Sequence, residues 1–131
     1  MQTSRTLSLL LALFLFILSG CAEYSTKSVE TNTDSEIKAT YETYHKTITK
    51  EIPSVPNTIL AIQLQEMEFK KGLFTITVRD PDGKKVLEKA LKPGTYQDAY
   101  TVTCDKEGKY ELTFTFDHME NGKHLITWET D

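Results

Sequence analysis

Apolar and polar residues alternate along much of the second half of the chain, and this period of two predicts β-strands. The strongest alternation runs over 110–116, where aromatic and leucine side chains occupy every second position. Phe74, Ile76 and Val78 alternate with threonines in the same way. Further short strands are predicted at 86–91, at 100–104 and around Ile126 and Trp128. One face of each strand is therefore expected to pack in a core while the other meets water.

Turn-forming sequences separate these strands. In Asp80-Pro81-Asp82-Gly83, proline sets φ for the second turn position, aspartate can accept hydrogen bonds from the backbone, and glycine can adopt positive φ. Lys92-Pro93-Gly94 and Asp105–Gly108 predict two further turns. Glu120-Asn121-Gly122 is typical of a β-hairpin, so the strand at 110–116 is expected to reverse there into the last strand.

The segment 36–52 fits two patterns. Helical spacing would put its apolar residues on one face: Ile37, Tyr41, Tyr44, Ile48 and Ile52. Its many threonines and the interleaved Lys46 and Lys50 suit a strand, which we favour because β-branched residues prefer extended backbone. Pro53 and Pro56 are expected to end it, since neither can donate a hydrogen bond to a neighbouring strand.

A long strand is predicted next at 58–69. The apolar phase set by Leu60, Ile62 and Leu64 shifts before Met67 and Phe69. A β-bulge, which inserts one extra residue into a strand, produces such a shift. We therefore expect a bulge near Gln65 and Glu66.

About seven short strands separated by regular turns predict an all-β fold, a single antiparallel β-sandwich spanning 36–131. The residues from Thr75 to Asp117 resemble the GOLD (Golgi dynamics) pattern, in which a strand runs into Asp80–Gly83 and Gly108-Lys109-Tyr110 enters a strand with Phe114 near its middle. The resemblance implies an immunoglobulin-like or GOLD-like sandwich that mediates protein interactions without catalysis. The family's disulfide cannot form here with Cys104 alone.

The first residues predict an export signal. Arg5 precedes a short apolar run at 7–18, too short for the hydrocarbon core of a bilayer, which needs about 20 residues. Leu18-Ser19-Gly20-Cys21 resembles the bacterial lipobox. The resemblance implies a signal peptide at 1–20 and a lipoprotein anchored by acyl chains such as palmitate on Cys21, outside the cytoplasm at the cell membrane or envelope. The alternative is an ordinary secretory signal cut elsewhere.

The next segment, 21–35, is polar and poor in large apolar side chains, so we predict a flexible tether after the anchor. The formal net charge is −4, and removing residues 1–20, with Arg5 as their only charge, leaves −4 − 1 = −5. This acidity disfavours nucleic acid as a partner, and Arg79 is the only arginine after Arg5.

No complete catalytic or cofactor-binding set is found, so a non-enzymatic protein without a cofactor is expected. No serine follows Ser54, no Gly-x-Ser-x-Gly turn is present, and Cys104 is predicted to face the core. Asp80 and Asp82 begin like a calcium loop whose later ligands are missing.

The histidines offer one candidate metal site. His118 and His124 flank the predicted hairpin and could hold an ion with Glu120 or Asp117, but a role as surface polar residues is favoured, so no metal is expected.

Threonines occupy the predicted outward positions of the central strands: Thr75, Thr77, Thr101, Thr103, Thr113 and Thr115. Threonine suits the solvated face of any strand, so the pattern alone does not require a function. A binding or structural module that recognises another protein through this face or an edge strand is the favoured interpretation. The alternative is an envelope inhibitor with an exposed loop at 96–100, or a lipoprotein that binds a small ligand or glycan.

Overall fold

The computed structural model describes residues 22–131 and is built from β-strands throughout. Among these residues, no helix is long and apolar enough to cross a membrane. The strands are β1 (Tyr24–Thr26), β2 (Val29–Asn32), β3 (Glu36–Ser54), β4 (Thr58–Phe69), β5 (Lys71–Arg79), β6 (Lys85–Leu91), β7 (Gly94–Cys104) and β8 (Gly108–Thr130). The predictions for residues 1–20 and Cys21 lie outside the described part of the chain.

The strands form one antiparallel sheet in which β8 lies between β3 on one side and β4 and β5 on the other. β3 pairs with β8 along nearly its whole length, from Glu36 opposite Thr127 to Ser54 opposite Gly108. β4 and β5 follow one another along the opposite edge of β8, and β7 and β6 extend the sheet beyond them. Residues 22–131 form eight strands, against about seven predicted.

The sheet folds over on itself to form the two layers of a β-sandwich. Ser54 pairs with Gly108 at one end of β8, whereas Ile59 exchanges backbone hydrogen bonds with Asp131 at the other end. Only residues 55–58 separate these contacts, so the two ends of β8 lie close together. One layer holds the first half of β8 with β5 and β6, and the other holds its second half with β4 and β7. The predicted all-β sandwich is confirmed.

The fold-over is made by irregular backbone in three neighbouring strands. β3 shifts register between Tyr44 and Lys46, and β8 has positive φ at His118 and Asn121. Opposite them lies Gly72, with φ 100°, where a Cβ atom would come within 2.6 Å of the carbonyl oxygens of Asp117 and His118. The chain therefore needs glycine at the bend.

The hairpin predicted at Glu120-Asn121-Gly122 is wrong. β8 continues through these residues and pairs with β3 on both sides of them, so 110–116 and 126–128 belong to one strand. Asn-Gly favours positive φ, and β8 uses it for a bend rather than a reversal.

Two further predictions about strands are confirmed, and a third is wrong. The segment 36–52 is a strand, and β4 shifts register between Leu64 and Met67, where the bulge was expected. Pro53 does not end β3, which continues to Ser54 with Pro53 opposite Lys109. Proline is accommodated one residue from the strand's end, where few backbone hydrogen bonds remain to be made.

The prediction of a flexible tether at 21–35 is wrong for the described residues 22–35, which contain the strands β1 and β2. β1 pairs with Thr43–His45 and β2 pairs with Ile37–Thr40, so both cover the outer edge of β3. The Lys46 ammonium also binds both carboxylate oxygens of Glu30 at 2.8 Å. An edge strand needs backbone hydrogen bonds more than apolar side chains, which explains how so polar a segment joins the sheet.

Both layers bury their facing side chains in one core. Phe74 and Phe116 lie with ring centroids 5.0 Å apart, and Phe114 packs on Trp128 from the other half of β8 at 5.4 Å. Because the inward residues alternate with outward ones, this core fixes which side chains each layer presents to solvent.

Candidate functional site

Six threonines form a regular array on the outer side of the layer that contains β5. Its first row is Thr47, Thr115 and Thr75, and its second row is Thr49, Thr113 and Thr77, each row crossing β3, β8 and β5. Neighbouring strands are about 4.8 Å apart and alternate residues about 6.8 Å. We call these six residues the threonine face.

The core determines that these threonines point outward. Ile76 and Phe114 lie between them along the strands, and both are fully buried. Thr49 Oγ1 lies 3.4 Å from Thr113 Oγ1, which links two of the strands by a hydrogen bond. The face therefore presents hydroxyl and methyl groups on a rigid support.

Charged groups lie at both ends of the threonine face. Beyond the second row, Arg79 of β5, Glu111 of β8 and Glu51 of β3 lie opposite one another in neighbouring strands. The Lys109 ammonium lies 3.3 Å from the Glu51 carboxylate. Beyond the first row, β8 carries Asp117. The centre of the face is thus uncharged while its ends are polar.

The six threonines predicted from sequence do not form one face. Thr75, Thr77, Thr113 and Thr115 come together, but Thr101 and Thr103 lie on β7 opposite Ala61 and Ile59, in the other half of the sheet. β7 pairs with β4 and not with β5, which separates the two groups.

Sequence reasoning missed Thr47 and Thr49 as members of the face. Their signal was present, because Thr47-Ile48-Thr49 repeats the Thr-Ile-Thr sequence of β5. The two residues were missed because the sequence of 36–52 fits both a helix and a strand.

Beside Asp117, the bend brings two histidines together. His45 Nδ1 lies 3.6 Å from Asp117 Oδ1, and His118 Nδ1 lies 2.5 Å from the same oxygen. One ligand atom from each of these three residues lies within 4.8 Å of the others, which makes them a potential metal-binding group. Sequence reasoning named His118 and Asp117 but not His45, which is far away in the sequence and meets them only through the pairing of β3 with β8.

His124 is not the surface residue that the sequence favoured, and it does not join His118 in the metal-binding group. It is only 1% exposed, and its ring stacks on Phe116 with centroids 4.6 Å apart. Neither ring nitrogen has a hydrogen-bond partner within the described residues. Burial lowers the pKa of His124 from 6.5 to about 3, although the Glu30 carboxylate acts in the opposite direction. His124 is therefore a neutral core residue at physiological pH, and Glu120 is also absent from the metal-binding group.

Cys104 is fully buried, as the strand pattern predicted, and it has no disulfide partner among residues 22–131. Burial raises the pKa of its thiol, which disfavours the nucleophilic thiolate.

The Asp80 turn has a structural role. Asp80 Oδ1 accepts hydrogen bonds from the backbone N–H groups of Asp82 and Lys84, at 2.9 and 3.0 Å. The Lys106 ammonium lies 2.9 Å from Asp80 Oδ2 and 2.7 Å from Asp82 Oδ2. The hydrogen bond from Lys106 lowers the pKa of Asp80. A lysine thus occupies the position a cation would take.

The loop proposed at 96–100 as an inhibitory feature is part of β7. Tyr96 and Tyr100 pack against the core, and the Tyr96 hydroxyl donates to the Lys92 carbonyl at 2.6 Å. The side chains that would anchor an inhibitory loop are thus used within the domain.

No protein-family model matches the chain, and no curated protein sequence matches it. The resemblance to the GOLD pattern therefore stays a prediction. Solved structures do match. TmCBM61 in complex with β-1,4-galactotriose is 9% identical with a TM-score of 0.49, covering 79% of this chain and 68% of that one.

Two further matches come from a bacteriophage and a bacterium. The enzymatically active domain of bacteriophage CBA120 tailspike protein 4 is 10% identical with a TM-score of 0.50, covering 84% of this chain and 19% of that one. PliG of Aeromonas hydrophila, a periplasmic inhibitor of g-type lysozyme, is 10% identical with a TM-score of 0.48, covering 79% and 93%. Identities this low concern the fold alone, so no function is carried over from these proteins.

Proposed function

We propose that this chain is a lipoprotein anchored through Cys21 in the bacterial cell envelope, where it binds another protein without catalysing a reaction. The observation that carries the proposal is the threonine face, six outward threonines aligned in two rows across three strands. The alignment gives a partner a defined array of hydroxyl and methyl groups.

The chemistry of the face suits protein recognition. Threonine is β-branched and stiff at χ1, so little side-chain freedom is lost on contact. Each hydroxyl can both donate and accept a hydrogen bond, and each methyl buries apolar area. A protein surface that binds a glycan would be expected to offer exposed aromatic rings on which sugar rings stack. The six residues of the threonine face are all threonines and offer none.

The ends of the face complete the interface. Two rows on three strands cover only about 7 by 10 Å, whereas a stable interface buries roughly 800 Å² on each partner. A partner must therefore also contact Arg79, Glu111 and Glu51 at one end and Asp117 at the other. Charged groups at the margins would set the orientation of the partner and its rate of association.

Catalysis is not part of the proposal. The buried Cys104, the neutral His124 and the ion-paired Asp80 are each held in structural roles within the described residues. None of them lies on the threonine face as an exposed nucleophile or proton donor.

The experiment compares two pairs of substitutions in the full chain, purified in a non-ionic detergent. Thr113→Lys with Thr115→Lys places two long cations on the threonine face, and Thr101→Lys with Thr103→Lys places the same charges on the other layer. Quantitative mass spectrometry of proteins captured from an envelope extract should show at least one partner lost about tenfold or more with the first pair and retained with the second. Circular dichroism checks that both variants fold.

Equal capture by the two variants would contradict the proposed face and point to an edge strand such as β6. A hydrolytic activity of the purified wild-type protein would contradict the non-catalytic role.

A further inference from the structure

Three side chains that could bind a metal meet where β3 and β8 bend. The Asp117 carboxylate lies between His45 Nδ1 at 3.6 Å and His118 Nδ1 at 2.5 Å. Within residues 22–131, no lysine or arginine forms an ion pair with it, and its basic neighbours within 4 Å are these two histidines. The carboxylate is therefore not neutralised by a lysine or arginine, unlike Asp80, which is bound by Lys106.

The fold holds this group in place from both strands. The register shift between Tyr44 and Lys46 places His45 at an irregular position of β3, and His118 adopts a left-handed conformation with φ 49°. The His45 ring stacks on Tyr24 of β1 with centroids 5.3 Å apart. β-Bulges commonly redirect side chains in this way at functional sites.

We propose that His45, Asp117 and His118 form a binding site for a divalent transition-metal ion of the Zn²⁺ class. Two imidazole nitrogens and one carboxylate oxygen are ligands that Zn²⁺ prefers, whereas Ca²⁺ and Mg²⁺ prefer oxygen ligands throughout. Ligand atoms about 2.0 Å from a tetrahedral ion are about 3.3 Å apart. The separation between His45 and Asp117 already approaches this value, and the exposed His118 ring needs only to rotate away from Asp117.

The ion takes the place of one hydrogen bond. His45 Nδ1 now accepts a hydrogen bond from the His118 backbone N–H at 3.0 Å, and this lone pair must pass to the metal. The exposed position of His118 lets water hydrogen-bond to the released N–H. Three protein ligands leave a fourth coordination position for water or for a group from another molecule.

The site adjoins the first row of the threonine face and shares Asp117 with the margin that a partner would contact. A bound ion would place positive charge where the free protein carries the Asp117 carboxylate. The fourth ligand, whatever its source, would come from the solvent side, because His118 and Asp117 are 68% and 49% exposed.

The test is titration of the full chain with ZnCl₂ in a non-ionic detergent, observed through the imidazole ¹⁵N signals. The sequence contains three histidines, so His124 is an internal control. The His45 and His118 signals should shift, with the Nδ1 resonance identifying the coordinating nitrogen, while the buried His124 signals should not change. Shifts of no histidine, or of His124 alone, would overturn the proposal.

Variants then measure the contribution of each ligand. His45→Ala, His118→Ala and Asp117→Asn should each weaken Zn²⁺ binding by roughly tenfold or more in isothermal titration calorimetry. Asp98→Asn removes an exposed carboxylate on β7 and should leave the affinity unchanged. If the double variant His45→Ala with His118→Ala binds Zn²⁺ as tightly as the wild type, the zinc binds at another site and the proposal is overturned.

Discussion

His124 is a titratable side chain within an aromatic cluster. Tyr41, Tyr44 and Phe116 surround its ring, with the Tyr44 centroid 5.5 Å away. Burial favours the neutral imidazole because a charged ring would lose its hydration. The folded protein therefore releases this proton far more readily than the unfolded chain does.

This difference predicts a loss of stability in acid. The pKa of His124 is lowered from 6.5 to about 3, so between these values the unfolded chain binds a proton that the folded protein does not. Above pH 6.5 this group causes no loss of stability, and the loss grows as the pH falls, to a total of about 5 kcal/mol below pH 3. Urea unfolding at several pH values should show this decline.

His124→Phe provides the control for this prediction. The phenyl ring suits the same aromatic surroundings but cannot titrate. The variant should lose less stability than the wild type between pH 6.5 and 4, because the titration of His124 no longer adds to the decline. Parallel curves for the two proteins would contradict the assigned role of His124.

Two adjacent residues of β8 separate the core from the outer surface. Phe114 is fully buried against Trp128, whereas Thr113 faces outward. Phe114→Ala should lower the free energy of unfolding by about 3 to 5 kcal/mol, since it leaves a cavity. Thr113→Ala should change it by only about 0.5 kcal/mol. Similar losses in urea denaturation would mean that the inward and outward faces of β8 have been assigned wrongly.

At the scale of elements, the bend depends on close approach between strands. Gly72 and Gly83 both have positive φ, at 100° and 83°. A Cβ at Gly72 would meet two backbone carbonyl oxygens at 2.6 Å, whereas a Cβ at Gly83 would meet nothing within 4 Å. A side chain at Gly72 would therefore be crowded and one at Gly83 would not, whereas the positive φ would strain the backbone of any other residue at both positions.

Alanine at each position should distinguish these effects. Gly83→Ala should cost about 1 kcal/mol from backbone strain alone. Gly72→Ala should cost about 2 to 4 kcal/mol, because overpacking is added to that strain. Thermal or urea unfolding measures the difference, and equal costs would show that the contact with β8 relaxes easily.

The sequence predicts local features of these elements well. The alternation in 110–116 and 74–78 identified inward residues correctly, and the phase shift in 58–69 located the bulge. These signals depend only on which side of a strand is buried, and the alternation of apolar and polar residues within the strand shows this.

Long-range pairing could not be read in the same way. Asn121-Gly122 reports a backbone that can turn, but its pairing with β3 determines that β8 continues. The meeting of His45 with Asp117 and the separation of Thr101 from Thr113 likewise depend on which strands are neighbours. No local pattern records that choice.

At the scale of the whole molecule, anchoring is the first property to test. Cys21→Ser removes the sulfur proposed to carry lipid, and the protein should leave the membrane fraction after cell fractionation and immunoblotting. Cys104→Ala is the matched control, because it removes the other cysteine, buried within the domain. It should remain in the membrane fraction. Membrane retention of Cys21→Ser equal to that of the wild type would contradict the lipoprotein proposal.

The pairing of β1 with β3 also limits how far an anchored domain could travel. β1 begins at Tyr24, so with lipid on Cys21 only about 10 Å of extended chain would separate the acyl chains from the sheet. Tyr24 stacks on His45, so a lipid on Cys21 would hold the bend nearest the bilayer, with the Asp80 turn at the distant end of that layer. The successive rows at His45, Thr47, Thr49 and Glu51 would then stand at increasing heights above the lipid. A partner would approach from the side, as a neighbour in the same membrane does, rather than from above.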